Sequence, residues 1–219
     1  MNPNLTSLLQ LASPLLPVGA FSYSQGLESA IDSDLVKDET SMRRWLVHGL
    51  RDVLARYEAP VWVRLYRAIQ RQDQVAFAGW NEEFLASRES LELRAETAQM
   101  GFSLGRLLGS LQHALPLPLT SLSYPAAHAF TCHCWDIKAE DGLGVYLYGW
   151  CENQVSCALK AIPIGQTAGQ RLLIQTRPIL AEAIETAMNL ADDDLTSQNP
   201  MLAILASQHE SQYSRLFRS

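Results

Sequence analysis

The side chains best equipped for chemistry lie in His128-Ala-Phe-Thr-Cys132-His-Cys134. Imidazole and thiolate are ligands for nickel and zinc. On a helix His128 and Cys132 share one face, being four residues apart. Cys132 and Cys134 are two apart and point about 200° from each other on a helix, so they could grip one ion only from an extended segment. The stronger reading is buried small thiols beside a capping or surface histidine, because free cysteine is among the most buried residue types. The competing reading is a metal site, including one shared between subunits.

No other constellation supports catalysis. The segment Gly165-Gln-Thr-Ala-Gly169-Gln-Arg171 has the wrong glycine spacing for a phosphate-cradling loop and lacks its lysine. Ser22 and Ser24 lie between glycines without forming a nucleophile elbow. The sequence has no His-Glu-x-x-His, and its carboxylates are scattered. Without a nucleophile, a base and an orienting group in register, the chain is expected not to be an enzyme, with no catalytic, cofactor-binding or resident metal residue.

Composition narrows the class further. A chain of 219 residues suits one domain. Hydrophobic residues make up 47% and charged residues 18%, which excludes disorder over most of its length. A net charge of −6 with no basic run argues against nucleic acid, whose phosphates need clustered Lys and Arg. Met1-Asn-Pro-Asn-Leu5 has no cationic start to a secretory signal, and no apolar run is long enough to span a membrane. Cys132, Cys134, Cys151 and Cys157 show no paired spacing and look like reduced thiols. The expected location is the cytoplasm, with no membrane partner.

The elements that must position any site are helices. Apolar residues fall at helical spacing over 41–57 (Leu46, Leu50, Val53, Leu54, Tyr57) and over 61–69. Leu93, Thr97, Met100, Leu104, Leu107 and Leu111 define about five turns of one buried face. Gly101, Gly105 and Gly109 recur along it, which implies a neighbouring backbone packed close. A further helix is predicted over 145–162, with Tyr148, Cys151, Val155, Leu159 and Ile162 on its inner side. Another is predicted over 178–190, with Pro178 in its first turn. Asp141-Gly142 and Ile162-Pro-Ile-Gly165 are predicted turns. The fold class is all-α: a single-domain bundle of roughly eight to ten helices over 1–195, with a C-terminal arm over 196–219.

Two segments are built for recognition rather than chemistry. One is Ser13-Pro-Leu-Leu-Pro-Val-Gly-Ala-Phe-Ser-Tyr-Ser-Gln-Gly-Leu-Glu28; the other is the tail from His209 to Ser219. The tail follows a polar break at Ser197-Gln-Asn-Pro200 and concentrates Tyr, Phe and Arg, residue types enriched at binding hot spots. Docking of the tail on its own bundle is the alternative, as is a core position for Phe21. Glu92, Arg94 and Glu96 form either a solvated helix face or a recognition surface. Asn153 and Gln154 read as a buried polar pair that fixes helix register.

These two segments, with Arg94-Ala-Glu-Thr-Ala-Gln99, Asn153-Gln-Val155 and Ile162-Pro-Ile-Gly-Gln-Thr-Ala-Gly-Gln170, resemble the UreF family of urease accessory proteins. The resemblance implies an all-helical homodimer that binds the accessory protein UreD, also called UreH, and recruits the GTPase UreG. The assembly then inserts nickel into apo-urease, so the nickel is handled by the complex and no cofactor is bound stably. It implies partner binding by Pro17, Gly19, Phe21, Ser22, Tyr23, Gly26 and Glu28, and by Tyr213, Arg215, Leu216, Phe217 and Arg218 of a tail that becomes ordered on binding. Lys160 falls where the family faces the GTPase. The second reading is a direct nickel carrier using His128, Cys132 and Cys134.

Overall fold

The computed structural model describes residues 4–196 and 199–219. Ser197 and Gln198 of the expected polar break, and Met1 to Pro3 of the start, lie outside them. Among the described residues the chain forms ten α-helices and no strand. They are α1 (Leu5–Leu11), α2 (Leu27–Asp32), α3 (Glu39–His48), α4 (Glu58–Gln70), α5 (Gln74–Ala86), α6 (Leu91–Ser110), α7 (Tyr124–Cys134), α8 (Ala139–Ala161), α9 (Gln166–Asn189) and α10 (Pro200–Glu210). No helix among them is long and apolar enough to cross a membrane.

The organising element is α4. Val61, Trp62, Val63 and Leu65 are fully buried, so the helix is apolar nearly all round and must lie inside. It packs against α5, α7, α8 and α9. The long α8 and α9 form a hairpin across the connection 162–165. A second, smaller core joins Leu27, Val36, Met42, Leu46, Val155, Ala158 and Leu172 to Leu205 and Phe217 of the arm. Local chemistry starts the helices where it should. Asp38, Asp73, Ser90, Ser123 and Asn199 each accept a backbone N–H as N-caps of α3, α5, α6, α7 and α10.

Several sequence expectations change. The helix predicted over 178–190 begins at Gln166, and Pro178 sits inside it on the solvent side. An interior proline costs about 3 kcal/mol. Burial of one continuous stripe (Ala168, Leu172, Thr176, Ile179, Ala183, Ala187) outweighs that cost. Asp141-Gly142 is no turn but the first turn of α8, whose inner side runs Leu143, Leu147, Cys151, Val155 and Ala158 and leaves Tyr148 outside. The helix predicted over 41–57 is regular only to His48. It then widens to a π-helical turn over Gly49–Val53 and tightens to a 3₁₀ turn over Leu54–Arg56. Gly101 and Gly105 do mark a close approach: a Cβ on Gly101 would collide with the Leu122 carbonyl, and one on Gly105 would stand 2.7 Å from Leu119. Gly109 meets nothing within 4 Å, and no packing reason for it is evident.

Candidate partner-docking surface

The N-terminal motif folds as a bent strap. Gly19 and Gly26 hold positive φ angles, and Gln25 joins them at φ 54°, so the chain turns twice before α2 begins. Side chains of α8 pin the strap from behind. Asn153 Nδ2 donates to the Tyr23 carbonyl at 2.8 Å, and Gln154 Nε2 donates to the Ser24 carbonyl at 2.9 Å. Gln154 also accepts from Trp45 Nε1 at 2.7 Å, and Trp150 Nε1 donates to Gln25 Oε1 at 2.7 Å. The polar pair of α8 therefore anchors the loop, and Gln154 also ties α8 to α3 through Trp45.

The tail folds back onto this strap. The Arg218 N–H donates to the Ser22 carbonyl at 2.9 Å, and the Ser24 and Gln25 N–H groups donate to the Ser219 carbonyl at 2.7 and 3.0 Å. The two segments that the sequence separates by nearly the whole chain are thus one composite surface.

Three carboxylates secure it. Glu28 is buried and accepts the Leu216 N–H at 2.6 Å and the Phe217 N–H at 3.0 Å. His209 is fully buried, with Nε2 3.1 Å from Glu28 and Nδ1 2.6 Å from Glu92. Arg215 donates to the other Glu92 oxygen at 2.6 Å. Glu96 accepts from Ser219 Oγ at 2.6 Å and from Gln25 Nε2 at 2.5 Å. Burial pushes the Glu96 carboxyl up to about 7, against these two donors and the more distant Arg88, which favour its ionised form.

The residues expected to bind partners divide into three groups. Pro17, Phe21, Lys160, Tyr213, Arg215, Leu216 and Arg218 are exposed, with Tyr213 wholly in solvent, Leu216 69% exposed and Phe21 62% exposed. Gly19 and Ser22 are half-buried. Tyr23, Gly26, Glu28 and Phe217 are buried within the chain and bear on the surface only by shaping it. Phe21, Ser22, Lys160, Leu216, Phe217 and Arg218 line one shallow groove, with Lys160 Nζ 5.4 Å from the Phe217 ring centroid. The sequence places Gln25 in the N-terminal segment and His209 at the head of the tail with no role of their own, and Glu92 and Glu96 on a solvated face or a recognition surface; the structure gives all four a part in seating the tail.

The histidine–cysteine cluster is buried behind the strap, where His128 lines the wall of an internal cavity. His128 accepts from Trp62 Nε1 at 3.1 Å, and Cys132 Sγ lies 3.7 Å from its Nδ1. Burial lowers the His128 imidazole to about 3 and pushes the Cys132 thiol far up; the Cys134 thiol is raised to about 11. Among the described residues no three His, Cys, Asp or Glu side chains converge on a metal position. A cavity of about 430 Å³ behind the strap is lined in part by Glu58, Arg88, Glu96, Tyr146 and Trp150. There the Tyr146 hydroxyl donates to Glu58 at 2.6 Å and Arg88 pairs with it at 3.2 Å.

The UreF family model matches residues 36–177. The chain is 47% identical to the urease accessory protein UreF of Janthinobacterium sp. (strain Marseille), over 98% of both chains. It is 46% identical to that of Cupriavidus metallidurans, over 99% of this chain and 98% of the relative. It is 44% identical to that of Cupriavidus taiwanensis, over 98% and 97%. These alignments run past the family-model match at both ends, and with an all-helical fold they show that the chain belongs to the UreF family of urease accessory proteins.

Proposed function

We propose that the chain is a urease maturation chaperone that works as a scaffold. It joins the UreD/UreH accessory protein to the UreG GTPase so that nickel enters apo-urease, and it acts as a homodimer in the cytoplasm. The observation that carries this reading is the merging of strap and tail into one surface. Phe21, Tyr213 and Leu216 present apolar area to solvent there, and Arg215, Arg218 and Lys160 supply charge around it. Aromatic and arginine side chains are the types enriched at the centres of binding interfaces. We assign Tyr213, Leu216, Arg218 and Phe21 to UreD/UreH and Lys160 to the face toward the GTPase, with ordering of the tail completed in the complex.

The carrier reading has less support. His128 and Cys132 point into a packed aromatic cluster with Trp62, Tyr124 and Tyr146, where a thiolate is strongly disfavoured. Nickel is accordingly assigned to the assembled complex.

Co-purification with the urease accessory partners tests the scaffold. The full chain is expected to form the ternary complex, and a chain ending before Asn199 is expected to stay folded but alone. Equal binding by both would move the interface into the bundle, and binding by neither would reject the role.

A further inference from the structure

The cavity behind the strap has polar capacity of one kind to spare. Its inner carboxylates are engaged: the two oxygens of Glu58 accept from Tyr146 and Arg88, and those of Glu96 from Gln25 and Ser219. Its donors are not. His128 is 1% exposed, and its Nδ1 accepts from Trp62, an indole that only donates. Burial keeps this imidazole neutral, at about 3, so its hydrogen is on Nε2, and no described residue accepts it. The Tyr124 hydroxyl, one turn earlier on α7, likewise meets no partner among the described residues. Both side chains line the cavity, beside Arg88, whose buried Nε also has no acceptor. Buried donors without acceptors are rare enough in folded chains that each calls for an explanation.

The walls set the rest of the chemistry. Asp52, Glu58, Glu89, Glu96 and Glu152 line the cavity against one arginine, so an anion is repelled. Tyr124 and Tyr146 stack at 5.3 Å, and Phe84, Trp150, Leu54 and Met100 complete an apolar, aromatic lining that favours a flat ring. An apolar cavity of about 150 Å³ takes benzene. One of about 430 Å³ has room for two fused rings and a substituent.

We propose that the cavity binds an uncharged, two-ring aromatic molecule whose carbonyl oxygen accepts from the free donors of Tyr124 and His128. Leu16 and Val18 of the strap and Met201 and Leu202 of the arm form the outer wall, so an occupant braces the docking surface from behind. The site stands whether or not that surface meets the urease partners.

The test is an NMR titration of the full chain, labelled at methyl groups and histidine nitrogens, with methyl naphthyl ketone, naphthalene and naphthoate. The ketone is expected to give saturable shifts at the Val18, Leu54 and Met100 methyls and to move the His128 Nε2 resonance. It is expected to bind about tenfold more tightly than naphthalene, the worth of one good hydrogen bond. Naphthoate is expected to bind more weakly than the ketone. Tyr124→Phe removes a hydroxyl that holds nothing else in the fold. In that variant the ketone is expected to lose most of its advantage while naphthalene binds as before, and amides of α4 and α9 report that the bundle stays folded. No saturable shift up to the solubility of the ketone, shifts scattered over the surface, equal binding of ketone and naphthalene, tighter binding of naphthoate, or an advantage retained in Tyr124→Phe would each overturn the site. Should the variant not fold, the comparison of the three compounds on the unaltered chain decides the question alone.

Discussion

Gly26 lies directly beneath Leu202: at φ +81° a Cβ there would stand 3.2 Å from Leu202 Cδ1 and 3.5 Å from Leu205 Cβ. The strap therefore needs glycine twice over, for its left-handed backbone and for the close crossing of α10. Gly26→Ala adds about 1–2 kcal/mol of backbone strain and pushes the arm outward. The expected outcome is a melting temperature lower by roughly 2–8 °C, together with faster tryptic cleavage at Arg215 and Arg218. An unchanged cleavage rate would show that α10 does not rest on this residue.

Adjacent tail residues separate seating from docking. Phe217 is buried in the second core beside Leu27 and Leu205, whereas Leu216 points outward. Phe217→Ala is expected to free the tail, seen as fast amide exchange over 211–219, and to weaken partner binding indirectly. Leu216→Ala is expected to leave exchange unchanged and to weaken partner binding directly, by about 1–2 kcal/mol, as for a hot-spot residue. Isothermal titration with UreD/UreH, paired with hydrogen exchange, reads both effects.

These two segments explain how much was legible in the sequence. The helical periodicity of α6 and α8 follows from burial of one face and α4 is buried nearly all round, so the all-α class could be read directly. Pro178 and Asp141-Gly142 misled because local propensity lost to tertiary packing. The seat of the tail was hidden for a different reason. Glu28 and His209 are 181 positions apart, and nothing local to either marks the other as its partner. Glu28 stood out only as part of the N-terminal motif, and nothing in the sequence marks it, Glu92 or Glu96 as the groups that hold the tail.

Glu96 gives stability a pH dependence of known sign. Its carboxyl titrates near 7 in the fold against 4.5 for an ordinary glutamate, so the folded state binds the proton more tightly. That contribution is complete below the unfolded value, declines as pH rises through the interval, and is gone above about 7. Glu96→Gln keeps the shape without the charge. Melting temperature measured from mildly acidic to mildly alkaline pH is expected to fall for the wild-type chain and to fall less for the variant. Parallel curves would show that Glu96 is ionised throughout.

Gln154 is the tie between the bundle and the strap, fully buried and bonded to both Trp45 and Ser24. Gln154→Leu fills the same space but leaves the buried Trp45 N–H without a partner, at about 1–3 kcal/mol, while the Ser24 carbonyl keeps only the Leu27 N–H at 3.2 Å. The expected result is a melting temperature lower by roughly 2–12 °C and a changed Trp45 emission. Gln154→Glu, which as a carboxylate can accept from Trp45 but sets a buried charge against the Ser24 carbonyl, is expected to destabilise at neutral pH at least as much as Gln154→Leu.

The four cysteines test the nickel assignment without an activity assay. Cys132, Cys151 and Cys157 are buried, and burial raises the latter two to about 12; Cys134 is partly open and raised to about 11. The thiolate is the form that reacts and that binds metal. At mildly alkaline pH a thiol reagent is therefore expected to modify at most Cys134 in the native chain, slowly, and all four after denaturation. Nickel added beforehand is expected to leave the native rate unchanged. Protection of Cys134 by stoichiometric nickel, lost in Cys132→Ala with Cys134→Ala, would transfer the metal from the assembled complex to this chain. It would also require α7 to open, because two thiols two residues apart on a helix cannot reach one ion.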